Sequence, residues 1–353
     1  MAGAIEDLIK SDPFGSDSSL FERAMLECFS FHYENCMFYR NFCGKRANKL
    51  EEIPWMLVTA LKHYPMLSTD DAVLTLTSSG TSGQKTEISL NEASLNNLRT
   101  IAEKIYGGMG LVDKREEVNY LCFTYDPEYA RDVGTAWSDK NNLSFTGVNE
   151  VFYALKWNGK SFYFDRKGAI EQLRRYSLED LPVRILGFPA YIAETLAGFR
   201  ESCGRVDLGE KSFVLPGGGW KGKKGEMPKD LFRGMIRDVT GIPEENVRDC
   251  YGLAEHGIPY VECEYGNMHV PLYSEAEVID PLTLKVCSHG EKGLLHLMSP
   301  YNLTSPYLSI LTTDYGTMEE NCPCGMGRPY IDIAGRAGIK KHLGCAVSAL
   351  QYM

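Results

Sequence analysis

The stretch LTLTSSGTSGQKTEISL, Leu74 to Leu90, constrains the chain more than any other. Its ends carry β-branched and apolar residues at strand spacing, so it reads as a strand–loop–strand hairpin. Gly80 and Gly83 permit positive φ and close approach of backbone N–H groups to a ligand. Ser78, Ser79, Thr81 and Ser82 add hydroxyl donors, and Lys85 adds a positive charge. Together they can form a cradle for phosphate oxygens. The Walker spacing is absent, because only two residues separate Gly80 from Gly83. A phosphate loop here therefore belongs to another nucleotide-binding class. The alternative is an ordinary flexible Ser/Gly turn.

EVNYLCFTY, VRILGFP and SFVLPGGG read as buried strands that end in loops, and they alternate with helices such as PAYIAETLAGFRESCG. This alternation predicts an α/β sheet with ligand loops at the strand ends. Helical spacing predicts one helix from Ser18 to about Tyr39 with a Ser cap. A second short helix is expected in EEIPWMLVTALKHYP, and an amphipathic one in NEASLNNLRTIAEKIYGGMG. Beyond Cys263 short strands and turns predict a β-rich subdomain. The chain has 353 residues, enough for two or three subdomains. A net charge of −10 argues against a general affinity for nucleic acid or anionic membrane. No apolar run reaches the roughly 20 residues of a membrane span. The N-terminus lacks the marks of a signal peptide. Eleven Cys in such a chain favour reduced thiols, metal ligands or a reactive Cys over disulfides. The expected compartment is the cytoplasm.

Four further stretches carry chemistry. LPGGGWKG ends a strand in Gly217, Gly218 and Gly219, where backbone can lie flat against an aromatic ring. CYGLAEHG offers Tyr251, Gly252 and Glu255, and that carboxylate can hold magnesium beside phosphates. TTDYG places Asp314 where it can take both ribose hydroxyls, and GRAGIKK places Arg336 and two Lys near the end. Taken singly, each is equally a Gly turn, a capped turn, a strand-end Asp or a basic tail. CPCG and YVECEYGNMHV supply Cys322, Cys324, Cys263 and His269, four N/S donors that suit a closed tetrahedral zinc site. Cys250 and His256 are reserve ligands, and buried thiols without metal are the alternative.

In their order along the chain these motifs resemble the adenylate-forming ligases, the family of acyl-CoA synthetases and firefly luciferase. IPWMLVTALK, SSGTSGQKT, GGGWKG, YGLAEHGIPYVEC, HVPLYS, TTDYG, CPCG and GRAGIKKHLGC look most like the acyl-protein synthetases of bacterial luminescence, the LuxE type. The phenylacetate–CoA ligase group is a relative with similar late motifs and such Cys and His. The resemblance implies the adenylate-forming α/β fold and ATP-dependent conversion of a fatty acid to acyl-adenylate, with release of pyrophosphate. It implies that Ser78 to Lys85 wrap the triphosphate and that Gly217, Gly218 and Gly219 flank the adenine. Tyr251 would stack on adenine, Glu255 bind magnesium, Asp314 hold the ribose, and Arg336 reach ribose or phosphate from a hinge. Ala254 departs from the pattern, standing where many relatives have a Thr that donates to the α-phosphate.

Such ligases usually follow the GR motif with a mobile domain of on the order of 100 residues. Here only AGIKKHLGCAVSALQYM follows Arg336, so a truncated C-terminal domain is expected. The luminescence synthetases accept the acyl group as a thioester on a Cys near the C-terminus and pass it to a partner reductase. Cys345 matches that position, and Lys340, Lys341 and His342 can favour its thiolate. It is otherwise one of eleven ordinary thiols. The expected layout is a helical segment over residues 1–70 packed on the core, then an α/β core over 71–335. The core's β-rich part begins at about 264, and a tail over 336–353 carries the acceptor Cys. A stand-alone acyl- or aryl-CoA ligase and a non-catalytic nucleotide-binding subunit of an acyl reductase complex remain the other readings.

Overall fold

The computed structural model describes residues 3–77, 86–130, 141–220 and 226–336. Their backbone divides into two compact units, one within residues 110–250 and the other of 3–77, 86–109 and 251–336.

The 110–250 unit is a five-stranded sheet. Its order is Phe162–Phe164, Gly147–Trp157, Glu117–Tyr125, Val183–Gly187, Phe213–Pro216. All neighbours are parallel except the hairpin of Phe162–Phe164 with Gly147–Trp157. Glu117–Tyr125 is buried at every residue after the first, as a near-continuous apolar run in a parallel sheet requires. Helices Arg166–Tyr176, Pro189–Cys203 and Lys229–Thr240 bring Leu173, Leu196, Phe199, Phe232 and Ile236 onto Leu121, Phe123, Ile185 and Val214. Among the four parallel strands the chain's first and third lie side by side, so the order reverses between them. Ligand crevices of such sheets lie at that reversal, outside the carboxyl ends. The ends that meet there are Tyr125 and Gly187. Gly217, at the end of the next strand, donates its N–H to the Gly187 carbonyl at 2.9 Å.

The other unit carries a sheet in the order Met268–His269, Tyr330–Arg336, Ser309–Glu319, Gly293–Met298, Glu275–Ile279. These neighbours are antiparallel, and Met56–Leu57 adds a short parallel strand along Ile310 and Leu311. Ala276, Val278, Leu295, Leu297 and Ile331 form the apolar side. The alternation of EAEVI and LLHLM places them there, since successive residues of a strand face opposite ways. Leu74–Thr77 pairs antiparallel with Glu87–Leu90, so the hairpin is present. Its loop, residues 78–85, lies outside the described residues.

Two helix expectations need correction. Helix Ser18–Asn35 ends at Cys36, and a separate helix runs Met37–Cys43. Cys36 is extended. Its N–H closes the first helix on the His32 carbonyl, and its sulfur accepts from Tyr39 N at 3.5 Å to cap the second. Asp17, not a serine, caps the first helix. EEIPWMLVTALKHYP forms no α-helix. It makes two 3₁₀ turns, Leu50–Glu52 and Ala60–Lys62, around the strand Met56–Leu57. The amphipathic helix is present as Glu92–Gly108, capped by Asn91.

Gly187 has φ +110°, and a Cβ there would sit 2.5 Å from Thr124 Cγ2 and 2.6 Å from the Phe123 carbonyl oxygen. Gly187→Ala should therefore cost at least about 2 kcal/mol, through backbone strain and displacement of the central strand. A urea titration of the full chain should show a lower midpoint; an unchanged midpoint would mean that this backbone conformation is not required.

Candidate active site and metal centre

A hydrogen bond joins the YGLAEHG and TTDYG segments. The Tyr251 phenol donates to Asp314 Oδ2 at 2.8 Å. Asp314 sits within Ser309–Glu319, opposite Arg336 in the antiparallel register. The Thr312 hydroxyl oxygen accepts from Asp314 N at 3.1 Å. Two residues on, Gly316 permits close strand packing, because a Cβ there would lie 2.5 Å from the Asp332 carbonyl. Asp314 and Glu255 are each only 5% exposed. The neighbouring Tyr307 phenol is pushed up to about 12 by burial and then by the Glu255 charge.

His256 packs beneath this loop. Its ring stacks on Tyr260 at 5.7 Å between centroids, with Nε2 2.9 Å from the Tyr260 hydroxyl. Burial pushes its pKa down to about 3, with His296 adding to the effect. His296 belongs to a chain that the sequence reading missed. Its Nδ1 lies 2.9 Å from Glu277 Oε2 and its Nε2 lies 2.8 Å from Ser309 Oγ. Glu277 and His296 alternate with the residues of the apolar cluster along EAEVI and LLHLM, and that alternation was the available signal.

Cys263, His269, Cys322 and Cys324 converge as expected, with their ligand atoms all within 4.8 Å of one another. Pairing of Met268–His269 with Tyr330–Arg336 brings His269 beside the turn that holds both late cysteines. Gly266, at φ +76°, turns the chain between Cys263 and His269. Cys263 Sγ and Cys322 Sγ are 3.6 Å apart, and Cys324 Sγ is 3.2 Å from His269 Nε2. Two sulfurs bound to one tetrahedral zinc at about 2.3 Å would be about 3.8 Å apart, so the spacing fits. His269 Nδ1 donates to the Arg328 carbonyl at 2.9 Å, leaving Nε2 as the metal-facing lone pair. Burial raises the Cys263 thiol. At Cys322 burial acts the same way but is outweighed by hydrogen bonds, led by Asn267 Nδ2 at 3.1 Å, and the thiol is lowered. Cys250 and His256 stand outside this cluster, and the ten cysteines of the described residues are free of disulfides.

In the 110–250 unit, Gly218 and Gly219 have φ of +74° and +69°, backbone that favours glycine. A Cβ on Gly252 would meet nothing within 4 Å. Ser78, Ser79, Gly80, Thr81, Ser82, Gly83, Lys85 and Cys345 lie outside the described residues, and of Arg336 only the backbone is described.

The sequence matches the family "Acyl-protein synthetase, LuxE" over residues 1–353. This chain belongs to that family. Two curated relatives carry the name long-chain-fatty-acid–luciferin-component ligase. The one from Aliivibrio fischeri is 24% identical over 348 residues, 95% of this chain and 89% of the relative. The one from Vibrio harveyi is 24% identical over 345 residues, 94% of this chain and 88% of the relative. Among solved structures, a 2-hydroxyisobutyryl-CoA ligase in its postadenylation state matches with TM-score 0.68 at 16% identity. That match covers 90% of this chain and 67% of the other. A long-chain-fatty-acid–CoA ligase from Archaeoglobus fulgidus matches with TM-score 0.54 at 12% identity, over 76% and 52% of the two chains. The synthetase therefore has the adenylate-forming ligase fold that its motifs imply.

Burial depresses the pKa of two of its histidines: His256 to about 3, and His32 to about 4 against an opposing hydrogen bond to the Asn302 carbonyl. Between those values and the ordinary 6.5 the unfolded chain binds protons that the folded one does not, so stability falls as pH drops through this window. At pH 5 the loss is about 2 kcal/mol per histidine. Denaturant titrations at pH 7 and pH 5 should show a smaller difference for His32→Gln and for His256→Gln than for the native chain. Equal differences would contradict neutral burial.

Proposed function

We propose that the protein activates a long-chain fatty acid with ATP to acyl-AMP, then carries the acyl group as a thioester on Cys345 for delivery to an acyl reductase. The observation that carries this reading is the Tyr251–Asp314 hydrogen bond, which joins the two nucleotide motifs in a chain of the acyl-protein synthetase family. The names of the curated relatives supply the substrate class. ATP and free thiols belong to the cytoplasm, where we place the reaction.

In the first step a carboxylate oxygen of the acid attacks the α-phosphorus while the bond to pyrophosphate breaks. The acid is already ionised at neutral pH, so no general base is needed. The difficulty is charge repulsion, and catalysis consists of positioning and charge cancellation. Asp314 accepts from the ribose hydroxyls, Tyr251 stacks on the base, and Gly217, Gly218 and Gly219 flank it. The loop from Ser78 to Lys85 wraps the phosphates. Arg336 reaches ribose or phosphate. The buried carboxylate of Glu255 is a hard oxygen donor that fits magnesium, which would offset phosphate charge when bound. In the second step the Cys345 thiolate attacks the acyl carbonyl, a C–S bond forms, and AMP leaves. Lys340, Lys341 and His342 favour the thiolate.

Protein, ATP and labelled fatty acid should give a hydroxylamine-labile label on the chain. Cys345→Ser should abolish this label and keep fatty-acid-dependent pyrophosphate exchange; full labelling of the variant would move the acceptor to another Cys. Label passing to coenzyme A would indicate a CoA ligase, and absence of exchange a non-catalytic subunit. Glu255→Gln and Asp314→Ala should each lose about 2–4 kcal/mol of transition-state stabilisation in the exchange reaction. Near-native exchange in either would remove the nucleotide from this site.

We further propose that Cys263, His269, Cys322 and Cys324 hold a structural zinc ion, on the strength of their donor set and spacing. Elemental analysis of protein purified without chelator should find about one zinc per chain. A strong chelator should lower the melting temperature, and Cys322→Ser with Cys324→Ser should remove the metal. Metal-free native protein would end this assignment.

A further inference from the structure

The helix Met37–Cys43 turns Tyr39 into the core and leaves its other aromatic residues outside. Phe38 and Phe42, one helical turn apart, are 49% and 46% exposed, and Met37 is 74% exposed. Tyr64, 54% exposed, stacks on Phe38 at 5.5 Å between ring centroids and extends the patch. Apolar side chains in such a continuous group mark a surface that meets something.

Charge indicates what that is. The whole chain carries −10, yet residues 34–67 hold five Lys or Arg against three Glu, a net +2. Arg40, Lys45, Arg46 and Lys49 are all exposed; Arg46 is paired with Glu34, and Lys45 and Lys49 share one acidic neighbour, Glu52. Protein interfaces are depleted in lysine. Exposed Phe, Met and Tyr bordered by Lys and Arg are instead the composition of a segment seated in the headgroup region of an anionic bilayer. Among the described residues no helix is long and apolar enough to cross a membrane, so the contact is with the surface. We propose that Met37, Phe38, Phe42 and Tyr64, with Lys45 and Lys49, form a docking surface for anionic lipid bilayers. Joined to the proposed activity, this surface brings the enzyme to the phase in which a long-chain fatty acid dissolves.

Flotation of the full chain with vesicles of equimolar phosphatidylglycerol and phosphatidylcholine tests this, without nucleotide or fatty acid. The native chain should float with these vesicles, less with pure phosphatidylcholine, and less as salt is raised. Phe38→Ser with Phe42→Ser should reduce the floated fraction roughly tenfold at unchanged melting temperature. Lys45→Glu with Lys49→Glu should reduce it chiefly at low salt, which keeps the test decisive if the double serine variant is unstable. Leu282→Ser, at a leucine 92% exposed in a separate turn, should float like the native chain. A native chain that stays with the protein fraction, equal loss in Leu282→Ser, or self-association through Phe38 and Phe42 without flotation would overturn the proposal. Pyrophosphate exchange on a water-soluble short-chain acid reports the adenylation reading separately, so either idea can fail alone.

Discussion

The strand Ser309–Glu319 is the member on which the described site depends. It pairs with Gly293–Met298 on one side and Tyr330–Arg336 on the other, and Met56–Leu57 joins it at Ile310 and Leu311. Ser309 near its start is fixed by His296, and Asp314 in its middle is fixed by Tyr251. The turn beyond its end carries Cys322 and Cys324. In the proposed reading Asp314 holds a ribose, and a carboxylate in that role needs such support, because a misplacement of about 1 Å can cost two orders of magnitude in rate. The Glu277–His296–Ser309 chain spans three adjacent strands, so it ties together the sheet that carries Asp314.

The Cys/His cluster acts on the same member from its far end. It joins the turn after Val261 to the turn after Glu319, which bend through positive-φ residues, Gly266 in the first and Asn321, Gly325 and Gly327 in the second. Turns of this kind have little apolar surface with which to hold themselves in place. Four N/S donors converging from two of them offer cross-linking in place of a core, and a metal bound there would contribute its binding energy to folding.

Much of this was legible in sequence, for identifiable reasons. EVNYLCFTY was readable as a buried strand because its apolar run is continuous, and the structure ends that strand at Tyr125 as read. The convergence of C-x-C and C-x5-H was readable because metal-ligand residue types are few and their spacing short. The break at Cys36 was not readable, since a sulfur serving as a helix cap leaves no pattern distinct from an ordinary buried thiol. Nor was the replacement of the expected helix near Trp55 by 3₁₀ turns, where pairing of Met56 with Ile310 overrides local helical spacing. The Glu277–His296–Ser309 chain was hidden for a different reason. Its members touch through strand register, and register depends on pairing that no single segment encodes.

The chemistry of the described half of the site has a definite sign. Asp314 accepts a hydrogen bond from Tyr251, and a carboxylate has about four lone-pair directions, the acceptor character that the proposed ribose contact would draw on. Glu255 adds a second buried carboxylate in the same unit. These two groups attract hydroxyl donors and cations, and they repel phosphate. A triphosphate can be held near them only if donors and positive charge arrive from another segment or from a metal ion bound to Glu255. Ser78, Ser79, Thr81, Ser82 and Lys85 have that complementary character, with hydroxyl and amide donors and one cation on a single loop. The division of labour follows from Coulomb's law. On the proposed reading, acceptors on the sheet would select the nucleoside end, donors on the glycine loop would take the phosphates, and a magnesium ion on Glu255 would offset the remaining charge.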